Sequence, residues 1–585
     1  MRALLISLPA LALSFTSCQK FANCKPSTLL LSYSLAGIAA VDMLSIAVTI
    51  DGKTTASYRM PPGNVLTSAV EVDFPDGYVV GSACEITVTA LSGGKQSGAG
   101  HVSLSLAPVC SLASVQLGPI KDVWVDLAAP AGGDGTQAHP FARIADGLAA
   151  TASLTGVTIH VAPGTYGANE PLPLVLRNGN SLDGAGADKT IIEGTGGSNR
   201  GQLGGQLSQT YSVSLVTGDA KAAPVSTISN LTVRSGSAQP LMGYYGIICD
   251  QGNAAGDDMP PPAQMPSPNV ILKNVTVGPG YEAGAVATTV TLPAQLPGCN
   301  LKVTGSTFTG NTSGVWALGC GNTNVDITVA LSVDHSTFAK LPLYTDTNTT
   351  LSNGITIWSC VSPVSISDNS FSDGQIGIGL PFWAPRPQVS STDTHRFVDI
   401  ERNTFTRFTW AGISLSQEAV VDKLIDNTFE NNRAVAGSPT PAAALSLQAN
   451  NSGSSAPQIV RARGNSFVGN DIGILWKGPT LIGPNINGVI SDFGSSDDGG
   501  HNTFACNSTL SGSVPGGDVV FDVGMAAKAS PISFFGNAWD HTPPHAAAGN
   551  AASNGQDVIF MGASPIVTGN DTQAPACTAP SIAGQ

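Results

Sequence analysis

VSISDNSFSDGQIGIGL, Val364 to Leu380, holds the pattern on which the fold turns. Val364 and Ile366 alternate with Ser365 and Ser367, the period of a strand with one buried face. Asp368-Asn369 interrupts the alternation, Phe371 resumes it, and Gly377-Ile378 opens a second short strand. The unit then recurs. Phenylalanine returns at 308, 338, 371, 405, 429, 467 and 504, in Gly-Ser-Thr-Phe, His-Ser-Thr-Phe, Asp-Asn-Ser-Phe, Arg-Asn-Thr-Phe, Asp-Asn-Thr-Phe, Gly-Asn-Ser-Phe and His-Asn-Thr-Phe, at intervals of 30, 33, 34, 24, 38 and 37 residues. A fixed local pattern at variable intervals means that each coil keeps its strands and varies its loops. Ile366, Ile400, Leu424 and Ala462, three residues before each Asn, are expected to face inward, as are Val364, Val398, Asp422 and Val460, five before it. The Asn is expected to turn the corner, by tolerating left-handed φ and by stacking its amide along the coil axis. Gly314-Val315, Gly354-Ile355, Gly377-Ile378, Gly412-Ile413 and Gly473-Ile474 mark the second strand of successive coils. The whole predicts an all-β chain: a right-handed single-stranded parallel β-helix of roughly ten to thirteen coils about 4.8 Å apart.

Upstream, Val123 to Gly194 contains a short strand, a turn-rich loop and one amphipathic segment in which Phe141, Ile144 and Leu148 recur at helical spacing after Pro140. After Gly156 the period becomes two, in Val157, Ile159 and Val161. One helix followed only by strands reads as a cap on a β-structure. Residues 120–156 are therefore the expected N-terminal cap, 157–540 the β-helix, and 541–585, rich in Ala, Pro, Gly and Thr, a C-terminal cap or tail. Residues 18–119 carry five or more alternating strands with turns at Asp51-Gly52, Pro61-Pro62-Gly63 and Gly93-Gly94, which predicts an immunoglobulin-like β-sandwich. Residues 1–17, with Arg2, an apolar run from Ala3 to Leu13 and small residues before Cys18, read as a signal peptide. Thr16-Ser17-Cys18 resembles a bacterial lipoprotein box, with Phe15 where that motif prefers Leu. It implies an exported protein of the cell envelope, held to the membrane by lipid on Cys18.

A further resemblance rests on Val125-Asp126, Gly133-Asp134-Gly135-Thr136, His139-Pro140-Phe141, Ile144, Leu148, Ile159 to Tyr166 and Gly184-Ala185-Gly186. These residues resemble the opening of parallel β-helix proteins of the domain-of-unknown-function family 1565, within the pectin-lyase-like superfamily. The resemblance implies an architecture and little chemistry, because that superfamily carries lyases, hydrolases, binding proteins and adhesins on one scaffold.

Charged residues are 11% of the 585 and the net charge is −14, with a pI near 4.9. No basic stripe is available to neutralise phosphates, which excludes nucleic acid as a partner. The ten cysteines fit an oxidising compartment. Cys84 and Cys110 flank strands of the small domain and are the expected disulfide; if Cys18 carries lipid, at least one of the remaining nine is unpaired. No Cys-x-x-Cys or clustered Cys/His spacing suggests a metal site, and no cofactor is expected.

Two faces could carry chemistry. Counting from the Gly of each second strand, Trp316 and Trp358 should face outward and Trp476 inward; with Tyr344, Trp383 and Trp410 the outward ones could stack on sugar rings. The bland alternative packs Trp383 and Trp410 under a loop. On the preceding strand, Lys302, Asp334, Asp399, Glu401, Lys423, Arg461 and Arg463 form a charged ladder. Superfamily lyases use acidic groups for calcium and an Arg or Lys base, so Asp399 and Glu401 with Lys423, Arg461 and Arg463 match by residue type. Cross-strand ion pairs explain the same residues. Asp497-Asp498 superficially resembles the acidic pair of polygalacturonases, but the other motifs of that family are missing and Ser496 to Gly499 reads as a turn. The leading expectation is a polysaccharide-binding surface protein. The alternatives are a polysaccharide lyase or glycoside hydrolase, and a structural or adhesive protein without catalysis.

Overall fold

The computed structural model describes residues 25–576 apart from 62–66, 200–210, 218–224, 250–268, 289–298, 319–328, 344–351, 358–360, 381–397, 449–457, 479–490, 509–514, 524–531, 549–554, 561–565 and a few shorter breaks. The expected signal peptide, Cys18, Tyr344, Trp358 and Trp383 lie outside the described residues. The chain divides into two compact units, 1–120 and 121–585.

The first unit is a sandwich. Thr28–Ser34 runs between Thr67–Asp73, antiparallel, and Cys110–Gln116, parallel. The facing sheet orders Lys53–Met60, Met43–Ile50, Ala83–Ser92, Lys95–Ser105 and Gly118–Pro119, all antiparallel. Its core is the alternation seen in the sequence, with Leu29, Leu31, Leu44, Ile46, Val48, Ile86 and Val88 fully buried. Cys84 joins them, and this overturns the expected Cys84–Cys110 disulfide: Cys84 is a free buried thiol, while Cys110 is disulfide-bonded to another cysteine. Flanking strands did not suffice, because Cys84 points into the core between the sheets.

The second unit is a right-handed parallel β-helix. One sheet stacks eleven parallel strands from Asp122–Val125 to Gln458–Arg463. The other strands, apart from Ile532–Phe535 and Ile566–Gly569, which pair with each other, form a second continuous ladder that runs on past Asp540 through Gln556–Phe560 and Thr572–Gln573. The helix spans Ile144–Thr151 and buries Ile144, Leu148 and Thr151 at the start of the stack. Phe141 lies ahead of it and bridges to Val125. No local residue caps the first turn. Instead the Ile144 and Ala145 amides donate to the Glu170 carboxylate at 2.7 and 3.0 Å, so a coil strand's loop holds the helix in place.

Inside the stack, every Phe of the repeat is fully buried, and consecutive rings from Phe308 to Phe504 lie face to face 4.7 to 5.0 Å apart. The ring separation is the strand spacing, because identical positions in successive coils sit directly above one another. Beside the rings runs an amide ladder. The Nδ2 of Asn369 donates to Oδ1 of Asn403, and so on through Asn427, Asn465, Asn502 and Asn537 at 2.9 to 3.0 Å. Each Oδ1 also accepts the backbone N–H of the preceding Asn. A second ladder joins Asn432, Asn470 and Asn507.

Two details differ from expectation. The left-handed residue is the one before the Asn, or before Ser336 in its place: His335, Asp368, Arg402, Asp426, Gly464 and His501 have φ between 48° and 67°. The corner and the ladder are thus shared between neighbours, which leaves each Asn buried with its amide paired. Val460 also points outward and Ile459 takes its place in the core, while in the coil below Val421 is buried and Asp422 accepts the Val398 amide at 2.8 Å. In both coils two residues, Asp422-Lys423 and Val460-Arg461, lie between the inward pair, so the first half of each strand is offset by one residue while Leu424 and Ala462 keep their inward places.

Candidate functional site

The coil register assembles one long outward face. Along the eleven-strand sheet, Thr227, Ile271, Lys302, Ser332, Ser365, Asp399, Lys423 and Arg461 are successive partners in one row. Next to it run His160, Asp183, Ser229, Lys273, Thr304, Asp334, Ser367 and Glu401. The sequence therefore placed Lys302, Asp334, Asp399, Glu401, Lys423 and Arg461 on one face, as the structure has them. Their neighbours in these rows are mostly hydroxyl side chains.

At its C-terminal end this face is paired with itself. Lys423 Nζ lies 2.8 Å from Asp399 and 4.0 Å from Glu401, and Arg402 bridges Glu401 and Asp368 at 2.9 and 2.8 Å. Arg461 reaches Asp498 at 3.3 Å. Arg463 is 7% exposed, bound to Asp492 at 2.8 Å and Asp498 at 2.9 Å, and its guanidinium holds the Asp498 carboxyl below the usual carboxylate range. Asp498 sits in a turn where its amide donates to Ser495 Oγ. Each candidate carboxylate here already faces a cation on another strand, the arrangement that cross-strand pairing predicts. Such half-exposed pairs contribute little, and Asp399→Ala is expected to change stability by less than about 1 kcal/mol in a thermal or denaturant melt.

At its N-terminal end the face is open. Trp124 stacks on His160 at 5.3 Å, and His160 lies 2.8 Å from Asp122. Further along, a trough of about 360 Å³ lies over Val225, Ile271, Lys302, Ser332 and Ser365.

The tryptophans behave differently from one another. Trp316 does lie on the outer side of its strand, but it is only partly exposed and packs on a cluster of Tyr245, Ile248, Ala283 and Val286, with its ring 5.8 Å from that of Tyr245. Trp410 is 40% exposed. Trp476 faces inward as expected, 2% exposed and stacked on Phe521 at 4.9 Å.

One grouping was missed. Asp518, Asp540 and Asp557 bring one oxygen each to within 4.8 Å of one another, and His541 and His545 form a second such set with Asp557. These are the metal-capable clusters among the described residues. The signal was present as Gly-Asp-Val-Val-Phe at 517–521 and Gln-Asp-Val-Ile-Phe at 556–560, a repeated pattern with Asp at the same place.

Residues 320–546 match the family described as protein of unknown function, DUF1565. The match falls on the repeat coils, and the cap residues Val125 to Gly186 lie outside it. No curated protein matches the chain. Among solved structures, the catalytic unit of a GH87 α-1,3-glucanase from Streptomyces thermodiastaticus is 12% identical with a TM-score of 0.39, covering 93% of this chain and 89% of that one. The A-module of a mannuronan C-5 epimerase from Azotobacter vinelandii is 14% identical with a TM-score of 0.36, covering 74% and 94%. A family 28 exopolygalacturonase from Yersinia enterocolitica is 10% identical with a TM-score of 0.30, covering 92% and 95%. Similarity this distant says nothing about the chemistry of the present chain.

Proposed function

With its coils matched to a family of unknown function, we propose that this chain is an exported protein, lipid-anchored at Cys18, that binds a polysaccharide on a lateral face of its β-helix. The observation that supports this reading is the row of hydroxyl and charged side chains repeated at strand spacing over the first sheet, with an open trough beside Lys302. Hydroxyls and the Lys302 ammonium, 4.0 Å from Asp334, over an apolar floor suit sugar, which presents C–H faces and a rim of hydroxyls. The trough takes precedence over the Trp316 face, since Trp316 is engaged by Tyr245. The self-paired carboxylates between Asp399 and Asp498 lend no support to a lyase or hydrolase at that end.

The test is retention of the full chain on a panel of neutral and acidic polysaccharides, scored in the same pass for new reducing ends and unsaturated products. Retention without cleavage is expected. Ser332→Leu with Ser365→Leu fills the trough from outward positions and should weaken retention by about tenfold, roughly 1.4 kcal/mol. Unchanged retention in that variant, with loss in Trp316→Ala/Trp358→Ala, would move the site to the second sheet. Product formation would replace binding with catalysis.

A further inference from the structure

The second strand of each coil carries glycine at one position from Gly246 to Gly473, broken only by Ala444. The reason is space: a Cβ on Gly377 would sit 2.4 Å from the Gly412 carbonyl oxygen and 2.7 Å from the Phe405 ring. In the next two coils this position is Asp518 and then Asp557, since Val519 continues the column of Ile474 and pairs in turn with Val558. Two ionisable groups therefore stand, one above the other, where seven other coils admit no side chain at all. Asp518 is 1% exposed and Asp557 is fully buried.

Part of the arrangement is structural. Asp518 Oδ1 accepts the Asn507 Nδ2 at 2.7 Å and so ends the second amide ladder. Asp557 Oδ2 accepts the His545 amide at 2.5 Å and lies 3.0 Å from His541 Nδ1. Asp540, half-buried on the adjoining strand turn, accepts the Cys506 amide at 2.8 Å. What these bonds leave over is Asp518 Oδ2 and Asp557 Oδ1, both buried and without a hydrogen-bond partner. The Asp518 and Asp557 carboxyls face each other here, and a buried carboxylate oxygen met only by another carboxylate is costly unless a proton or a cation supplies the missing charge. Two such oxygens together with a third carboxylate concentrate more negative charge than one shared proton cancels.

We propose that Asp518, Asp540 and Asp557 bind a divalent cation that prefers oxygen ligands, of the Mg²⁺, Ca²⁺ or Mn²⁺ type, with His541 orienting Asp557 from behind. All-oxygen donors select this class over soft metals. An imidazole on the far oxygen of a ligating carboxylate is the outer contact that such ligands use to fix their orientation. The ion would tie together the last coils of the stack, where fewer neighbours hold each strand. The surroundings agree: burial, followed by the nearby Asp540 and Asp557 carboxylates, raises the Asp518 pKa well above the usual range. A cation would reverse that shift.

The experiment uses the full chain, stripped with chelator, titrated calorimetrically with Mg²⁺, Ca²⁺, Mn²⁺ and Zn²⁺ separately and melted at each saturating concentration. One of the first three is expected to bind with a stoichiometry near one and to raise the melting temperature. Asp518→Asn and Asp557→Asn should abolish the response, His541→Ala should weaken binding about 10- to 100-fold, and Asp399→Asn should leave it intact. Asp540→Asn, at a half-exposed position, gives the same reading if Asp518→Asn does not fold. Binding of Zn²⁺ alone, lost in His541→Ala and unaffected by Asp518→Asn, would overturn the carboxylate assignment in favour of the imidazole set. So would binding of no ion, with stability falling as pH rises through the raised Asp518 pKa. That is the sign expected of a carboxyl that must stay protonated to remain buried, and a bound cation gives the opposite trend because metal and proton compete.

Discussion

Phe429→Ala is expected to destabilise the β-helix by about 3–5 kcal/mol. The ring is fully buried between Phe405 at 4.8 Å and Phe467 at 4.9 Å, so truncation removes both face-to-face contacts and leaves a cavity that strands held at fixed spacing cannot close. Phe429→Leu should recover part of the loss by refilling volume without restoring the stack. The check is the denaturant midpoint with the slope compared between variants, because a long repeat can lose its cooperativity and unfold in parts. A shift corresponding to less than about 1 kcal/mol would show that the column of rings is spatial coincidence and carries little of the stability.

Asn427→Ala should cost a similar amount, about 3 kcal/mol or more, by a different route. Its Oδ1 accepts both the amide and the Nδ2 of Asn403 at 3.0 Å, and its Nδ2 donates to Ile400 O at 2.8 Å and to Asn465 Oδ1 at 3.0 Å. Alanine leaves the buried Asn403 amide without its acceptor and takes one partner each from Asn403 Nδ2, Ile400 O and Asn465 Oδ1, where water cannot reach them. Asn427→Asp is the sharper comparison: the shape is kept, the acceptor role is kept, and only the donor is lost while a charge is buried. If its denaturation midpoint matched that of the parent protein, the ladder would not depend on donor and acceptor order. A midpoint fall equal to that of alanine or larger is the expected result.

The repeat made the fold legible because a stacked coil asks the same thing of the same position each time. Phe371, Phe405 and Phe429 need a neighbour of their own kind, Gly377 needs a neighbour's ring in place of its own Cβ, and both demands appear in the sequence as columns. The outward ladder was legible for the same reason, since period two places Lys302, Asp399 and Lys423 on one face whatever the loops do. What failed had no period. The free Cys84 depends on which way one strand of the sandwich faces, and the outward turn of Val460 depends on an extra residue between inward positions that its strand shares with the coil before it.

The candidate cation site lay between these cases. Asp518 and Asp557 continue the glycine column with a different residue, so the column's own composition hides them, and the Ala, Pro, Gly and Thr of the segment after Asp540 suggest only a cap. By itself the sequence determined the architecture, the inward columns and the residues of the polar face, because translation along the coil axis turns spacing into contact. Only the tertiary structure decided which carboxylates meet a lysine or arginine on a neighbouring strand, as Asp399 meets Lys423, and which are buried beside other carboxylates, as Asp518 and Asp557 are. That difference depends on what lies across the coil, and residues across the coil are separated by loops whose lengths follow no rule.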